Sequence, residues 1–154
     1  MYKGYMSGFS LTKFLLIFTV ILVLVGGGIT ATYFVLRQQH TAEAQLFVQD
    51  IVGMIEKDDT QTAFTNFSPS LKSDNQQSSY LTWYFWVSSF GSGTSKITIT
   101  KPAESITYKD SSIISVLSSK EAITFTYKTS SGTNVSFEAT KSGTEWVLNS
   151  YAAL

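Results

Sequence analysis

Hydrophobic and polar positions fall along this chain in three regimes, and each predicts a different kind of element. From Phe14 to Leu36 the apolar run is continuous, with Tyr33 its one ionisable side chain. Rising ~1.5 Å per residue, such a helix measures roughly 35 Å and crosses a bilayer with some tilt. From Ala44 the period becomes three and four. Ala44, Phe47, Val48, Ile51, Met54 and Ile55 line one stripe of an amphipathic helix. Past Gly91-Ser92-Gly93 the period becomes two. Ile97 and Ile99, Ile106 and Tyr108, then Ile123, Phe125 and Tyr127, then Val135, Phe137 and Ala139 each alternate with polar neighbours. That is the signature of strands with one wet face.

The segments between these regimes complete the predicted order. Gln38-Gln39-His40-Thr41 reads as a short polar neck, and no helix breaker stands between Arg37 and Ala42. Asp58-Asp59-Thr60 offers caps for a short helix carrying Ala63, Phe64 and Phe67. That helix stops near Ser68, because Pro69 disfavours helical geometry in the residue before it. Tyr80, Trp83, Tyr84, Val87 and Phe90 keep a three-four rhythm, so the aromatic stretch predicts a helix, with Phe85 and Trp86 pointing elsewhere. Ser130-Ser131-Gly132 and Ser142-Gly143 are turns of an antiparallel meander. Ile113 to Leu117 predicts a further strand and Glu145 to Tyr151 the last one. About three helices packed on an antiparallel sheet of about five to six strands make an α+β domain behind a transmembrane helix.

The expected organisation is therefore a cytoplasmic stretch over residues 1–13, a membrane helix over 14–36, a neck over 37–41 and an extracytoplasmic domain over 42–154. The run exceeds the ~7–15 residues of a secretory signal core, and the small-x-small site Ala42-Glu43-Ala44 lies well past it. Lys3 and Lys13 precede the run and Arg37 follows it, which favours an inside amino terminus and an uncleaved signal anchor. Gly26, Gly27 and Gly28 stand at mid-membrane, where glycines either loosen a helix or admit a neighbouring one.

Charge and cysteine usage narrow the function classes. From Thr41 onward eight lysines face eleven acidic residues, a net charge of −3. Nucleic acid is not an expected partner, since phosphate binding needs a basic face. The chain has no cysteine, which removes disulfides, thiolate metal sites, a thiol nucleophile and a lipidated Cys from consideration. A disulfide-free outer domain suits a bacterial cell surface.

Two families are resembled. Gly8-Phe9-Ser10-Leu11 followed by an apolar helix is similar to the processing site of type IV prepilins, in which a short leader is removed before a Phe. That family places Glu at the fifth mature position, where this chain has Lys13. The outer part resembles membrane-tethered domains of the nuclear-transport-factor-two-like, cystatin-like superfamily. The matching residues are the acidic turn Asp58-Asp59, Phe64, Ser68-Pro69 and the terminal Trp146-Val147. The resemblance implies a cone: a curved sheet wrapping a long helix, with an apolar mouth that enzymes of the superfamily use as an active site. It implies architecture more than activity. The type IV secretion inner-membrane assembly component is similar in pairing one span with such a domain.

The chemistry expected of these residues is sparse. Superfamily enzymes place an Asp/His pair or buried carboxylate in the pocket, whereas the sole histidine here, His40, falls in the neck and reads as an interfacial polar residue. Asp58 and Asp59 read as caps and solvated charge. No catalytic residue, metal site or cofactor is expected. Asn66-Phe67-Ser68 and Asn134-Val135-Ser136 fit the glycosylation pattern, incidental in a bacterium. The aromatics Trp83, Tyr84, Trp86 and Phe90 are the candidate apolar pocket, Gly26 to Gly28 the candidate helix-association surface, and Gly8 with Phe9 the candidate processing site. The expected function is non-enzymatic: a single-span surface protein whose partners are the membrane and a protein, an envelope component or a second copy of itself.

Overall fold

The computed structural model describes residues 11–73, 75–90, 98–99, 102–109 and 112–154. One helix dominates it. α1 runs unbroken from Leu11 to Glu56, 46 residues that rise roughly 70 Å. It is the one described helix long and apolar enough to cross a membrane. In its first half, from Phe14 to Thr32, its side chains are exposed: Phe14 is 58% exposed, Leu16 64% and Leu24 69%. Polar atoms in this half are hidden locally. The hydroxyls of Thr19, Thr30 and Thr32 donate to the carbonyls of Leu15, Gly26 and Gly28 at 2.8, 2.8 and 2.9 Å. A helix that satisfies every polar group internally is what hydrocarbon requires.

The second half of α1 is core. Ala44, Val48, Ile51, Val52 and Ile55 are buried, with Phe47 and Met54 packed beside them, so the three-four stripe faces the domain. α1 closes at Asp58, held in the left-handed region at φ 63°, and Asp59 then caps α2 (Thr60–Thr65) by accepting from the Thr62 amide at 3.2 Å. Ser68 caps α3 (Pro69–Lys72), where Pro at the first position lacks only a donor that would be unpaired anyway. Asn75 caps α4 (Gln76–Ser88).

The strands are β1 (Ser105–Lys109), β2 (Ala122–Lys128), β3 (Asn134–Ser142) and β4 (Glu145–Ala153), an antiparallel meander in the order β1-β2-β3-β4. Ile123, Phe125 and Tyr127 of β2 lie opposite Ala139, Phe137 and Val135 of β3, and all six are buried on the helix side. The register slips between Glu138 and Ala139, where Asn149 is the extra residue of β4. Its side-chain amide donates to Glu138 Oε1 at 2.8 Å. The outer edge of β4 is partly covered, because the amide of Ser68 donates to the Leu148 carbonyl and the Leu148 amide to that of Asn66. β1 is the open edge.

The α+β class and the helix-then-sheet order match the sequence pattern. Among the described residues the sheet has four strands where five to six are expected; Ile99 contributes a single bridge to Thr129, the Thr98 carbonyl accepts from the Ser130 amide at 2.8 Å, and Ile97 and Thr100 of that expected strand lie outside the described residues. Ile113–Leu117 is a short helix, α5, rather than a strand. Ser112 caps it by accepting from the Ser115 amide at 3.2 Å, so local hydrogen bonding outweighs the strand preference of two isoleucines and a valine.

Candidate functional site

The two turns of α1 that follow the apolar run are tied to β1, to the residue just before β2, to β3 and to β4. Residues 37–41 are helical, as the lack of a breaker between Arg37 and Ala42 allows, and their side chains reach across to the sheet. Arg37 lies over the ring of Tyr108 in β1, its Cζ 4.0 Å from the centroid, and Thr41 Oγ1 meets the Tyr108 hydroxyl at 3.1 Å. His40 Nδ1 is hydrogen-bonded to Oε1 of Glu121, the residue that leads into β2, across 81 positions of sequence. Glu43 accepts from Lys141 Nζ of β3 at 2.9 Å and from Trp146 Nε1 of β4 at 3.3 Å, and Gln39 reaches Glu43 from the preceding turn at 3.0 Å.

His40 is 5% exposed and Glu121 0%, so the histidine expected at the membrane interface is buried instead. The ring of Trp146 closes over it edge-on, with centroids 6.3 Å apart. Glu121 Oε2 has no hydrogen-bond partner among the described residues. A buried carboxyl with one partner is costly unless that partner is held firmly, and the partner here sits on a rigid helix. The pair is shielded from solvent and fastens α1 to the start of β2.

Glu43 is the complementary, half-open part of the clamp. The hydrogen bond from Lys141, helped by Gln39 and Trp146, holds its carboxyl down at about 2, against an ordinary value near 4.5. A carboxyl with a depressed value stabilises the fold in full above its ordinary range and loses that contribution as pH falls toward about 2. Wild-type stability, read as the urea midpoint, is therefore expected to fall between about pH 5 and pH 2. Glu43→Gln flattens part of this acid limb; an unchanged slope would remove Glu43 from the clamp.

The sequence-predicted aromatics separate. Trp83 is fully buried and donates from Nε1 to the Thr60 carbonyl at 3.1 Å. Trp86 turns inward as well, stacking on Trp83 at 5.5 Å and meeting Tyr151 at 4.7 Å, whereas Tyr84 is 41% exposed. Trp86 and Phe90 line a cavity with Ile55, Ile99 and Phe137, but its volume is about 10 Å³, room for about one water. Gly26, Gly27 and Gly28 meet no neighbouring atom within 4 Å of an added Cβ, so nothing among the described residues packs on them. Gly8 and Phe9 lie outside the described residues. No group of three or more metal-ligating side chains occurs among the described residues.

The chain matches no protein family, no curated protein and no solved structure.

The clamp was missed in the sequence although signals for it exist. Extending the stripe back from Ala44 by four residues reaches His40, which places it on the core face of α1. Extending the β2 alternation back from Ile123 by two reaches Glu121, on the core face of the sheet. His40 reads as interfacial when judged by residue type instead of by position, and type alone does not single out Glu121.

Proposed function

We propose that this chain is a single-span membrane-anchored protein, amino terminus inside, whose outer α+β domain is a non-enzymatic binding module for a protein or envelope component in a larger assembly. What carries the reading is one rod with two environments. The apolar half of α1 is exposed from Phe14 to Thr32, the other half is the spine of the domain, and the helix is unbroken between them. A hinge lets a tethered head search for partners; a clamp to the sheet fixes its height and orientation above the membrane. That suits a subunit whose partner stands at a defined position. Helices ahead of a meander sheet, with the acidic turn ending the long one, also suit a nuclear-transport-factor-two-like outer domain. The test is alkaline carbonate extraction of cells producing the chain, followed by crosslinking in native membranes. Retention in the pellet with a discrete crosslinked partner is expected; release into the supernatant contradicts the reading.

A second reading, a pilin-like filament subunit, draws on the same bare helix, whose apolar side chains and open glycines could pack against copies instead of lipid. Intact-mass analysis separates the two: a mature chain beginning at Phe9 supports the filament, and a chain retaining residues 1–8 supports the anchor. A pocket for a small apolar ligand has less behind it, given a cavity the size of a water.

A further inference from the structure

The connection between β1 and β2 carries the least explicable surface of the domain. On α5, Val116 is fully buried, while Ile113, Ile114 and Leu117 are 48%, 78% and 47% exposed. Three large aliphatics turned outward on five residues are not needed for folding, and α5 packs directly on α1.

Its position supplies the reason. Both ends of the connection are pinned to the turn of α1 that follows the apolar run: Tyr108 to Arg37 and Thr41, and Glu121 to His40. His40 is one turn, about 6 Å, beyond Leu36. The half-buried side of α1 continues from His40 down through Arg37 and Leu36 to Tyr33, inside the apolar run itself. The far end of the domain, where Ile55 meets Ile99 and Phe90, lies at the other end of the helix. Exposed Lys120 follows α5, while Lys109 on its other side reaches Glu138 of β3 at 3.7 Å; cationic side chains commonly border an inserted apolar surface with their heads in water.

We propose that α5 is a second membrane contact, with Ile113, Ile114 and Leu117 dipping into the headgroup–acyl boundary of the leaflet that α1 leaves. The occupant is the bilayer, because this surface is continuous with the span and pinned to its end. Short apolar surfaces of this kind bury about 5–10 Å into the interface. The clamp then has a purpose beyond stability: it sets the head on the membrane at two points, which stops it from rotating about α1. This rests on the anchor reading.

The chain has no cysteine, so single labels can be placed without background. Ile114→Cys, Phe85→Cys on exposed α4 and Val23→Cys in the apolar run are each labelled with bimane. The full chain is then reconstituted into phosphatidylcholine nanodiscs doped with nitroxide-bearing phosphatidylcholine. Lipid quenching at 114 and at 23, with iodide quenching at 114 several-fold weaker than at 85, is the expected result. If 23 is quenched by lipid while 114 is as open to iodide as 85, α5 faces water and the proposal falls with the anchor intact. If 114 is shielded from iodide without lipid quenching, a second copy covers it and the proposal also falls. Absence of lipid quenching at 23 overturns the anchor reading and this one with it.

Discussion

His40→Ala lowers the unfolding free energy of the folded head by about 3–5 kcal/mol, because it leaves Glu121 buried with neither oxygen paired. The effect comes from the stranded carboxyl and not from the size of the imidazole. Glu121 is 0% exposed and its Oε2 already lacks a partner among the described residues, so Oε1 has no replacement for His40 Nδ1. Combining His40→Leu with Glu121→Met is expected to recover most of the loss, since replacing both partners by apolar groups of similar volume removes the desolvation cost along with the attraction. Urea melts in detergent micelles read the effect directly. A loss below about 1 kcal/mol for His40→Ala would mean that water already reaches Glu121 and that the clamp does not hold as described.

Trp83→Ala is the second large effect, expected at about 3–5 kcal/mol from lost burial and the cavity left behind. The indole sits among Phe67, Tyr151 and Trp86 at centroid distances of 4.9, 5.0 and 5.5 Å, and its loss also strands the Thr60 carbonyl. The contrast is Phe85→Ala on the same helix. At 66% exposed, Phe85 contributes little to folding, and a change within about 0.5 kcal/mol is expected. If the two substitutions cost the same, α4 is turned differently on the sheet and the aromatic cluster is not the core of the head.

These two residues show how unevenly the sequence discloses the structure. Trp83 was legible: the rhythm Tyr80, Trp83, Tyr84, Val87, Phe90 belongs to a helix, and the helix lies where the rhythm places it, although Tyr84 of that stripe is exposed. Trp86 was set apart from that side, yet it packs inward, because a short helix over a twisted sheet buries a wider arc than a narrow stripe suggests. The period-two segments of β2 and β3 gave their core faces without error, since a buried face leaves only one register. Ile113–Leu117 failed for a general reason: five apolar residues hold too little periodicity to separate helix from strand, and the deciding feature was the Ser112 cap.

The site was harder than the fold. Its contacts join α1 to residues 67 to 103 positions away, and no local pattern records which polar side chains will meet across such distances. A lone histidine next to an apolar run suggests an interface by composition; only its place four residues before Ala44 indicates burial. What the structure adds is mechanical: the helix that emerges from the apolar run does not hand over to a tether but becomes the spine of the domain.

That continuity makes protease shaving of intact cells producing a carboxy-terminally tagged chain the most direct measurement of the central claim, that the bare half of α1 is embedded while the head stands outside. Externally added protease is expected to remove the tag and head and to leave a membrane-bound amino-terminal fragment containing Phe14 to Leu36. A tag that stays protected until the cells are lysed, or a full head recovered in the medium without protease, contradicts it.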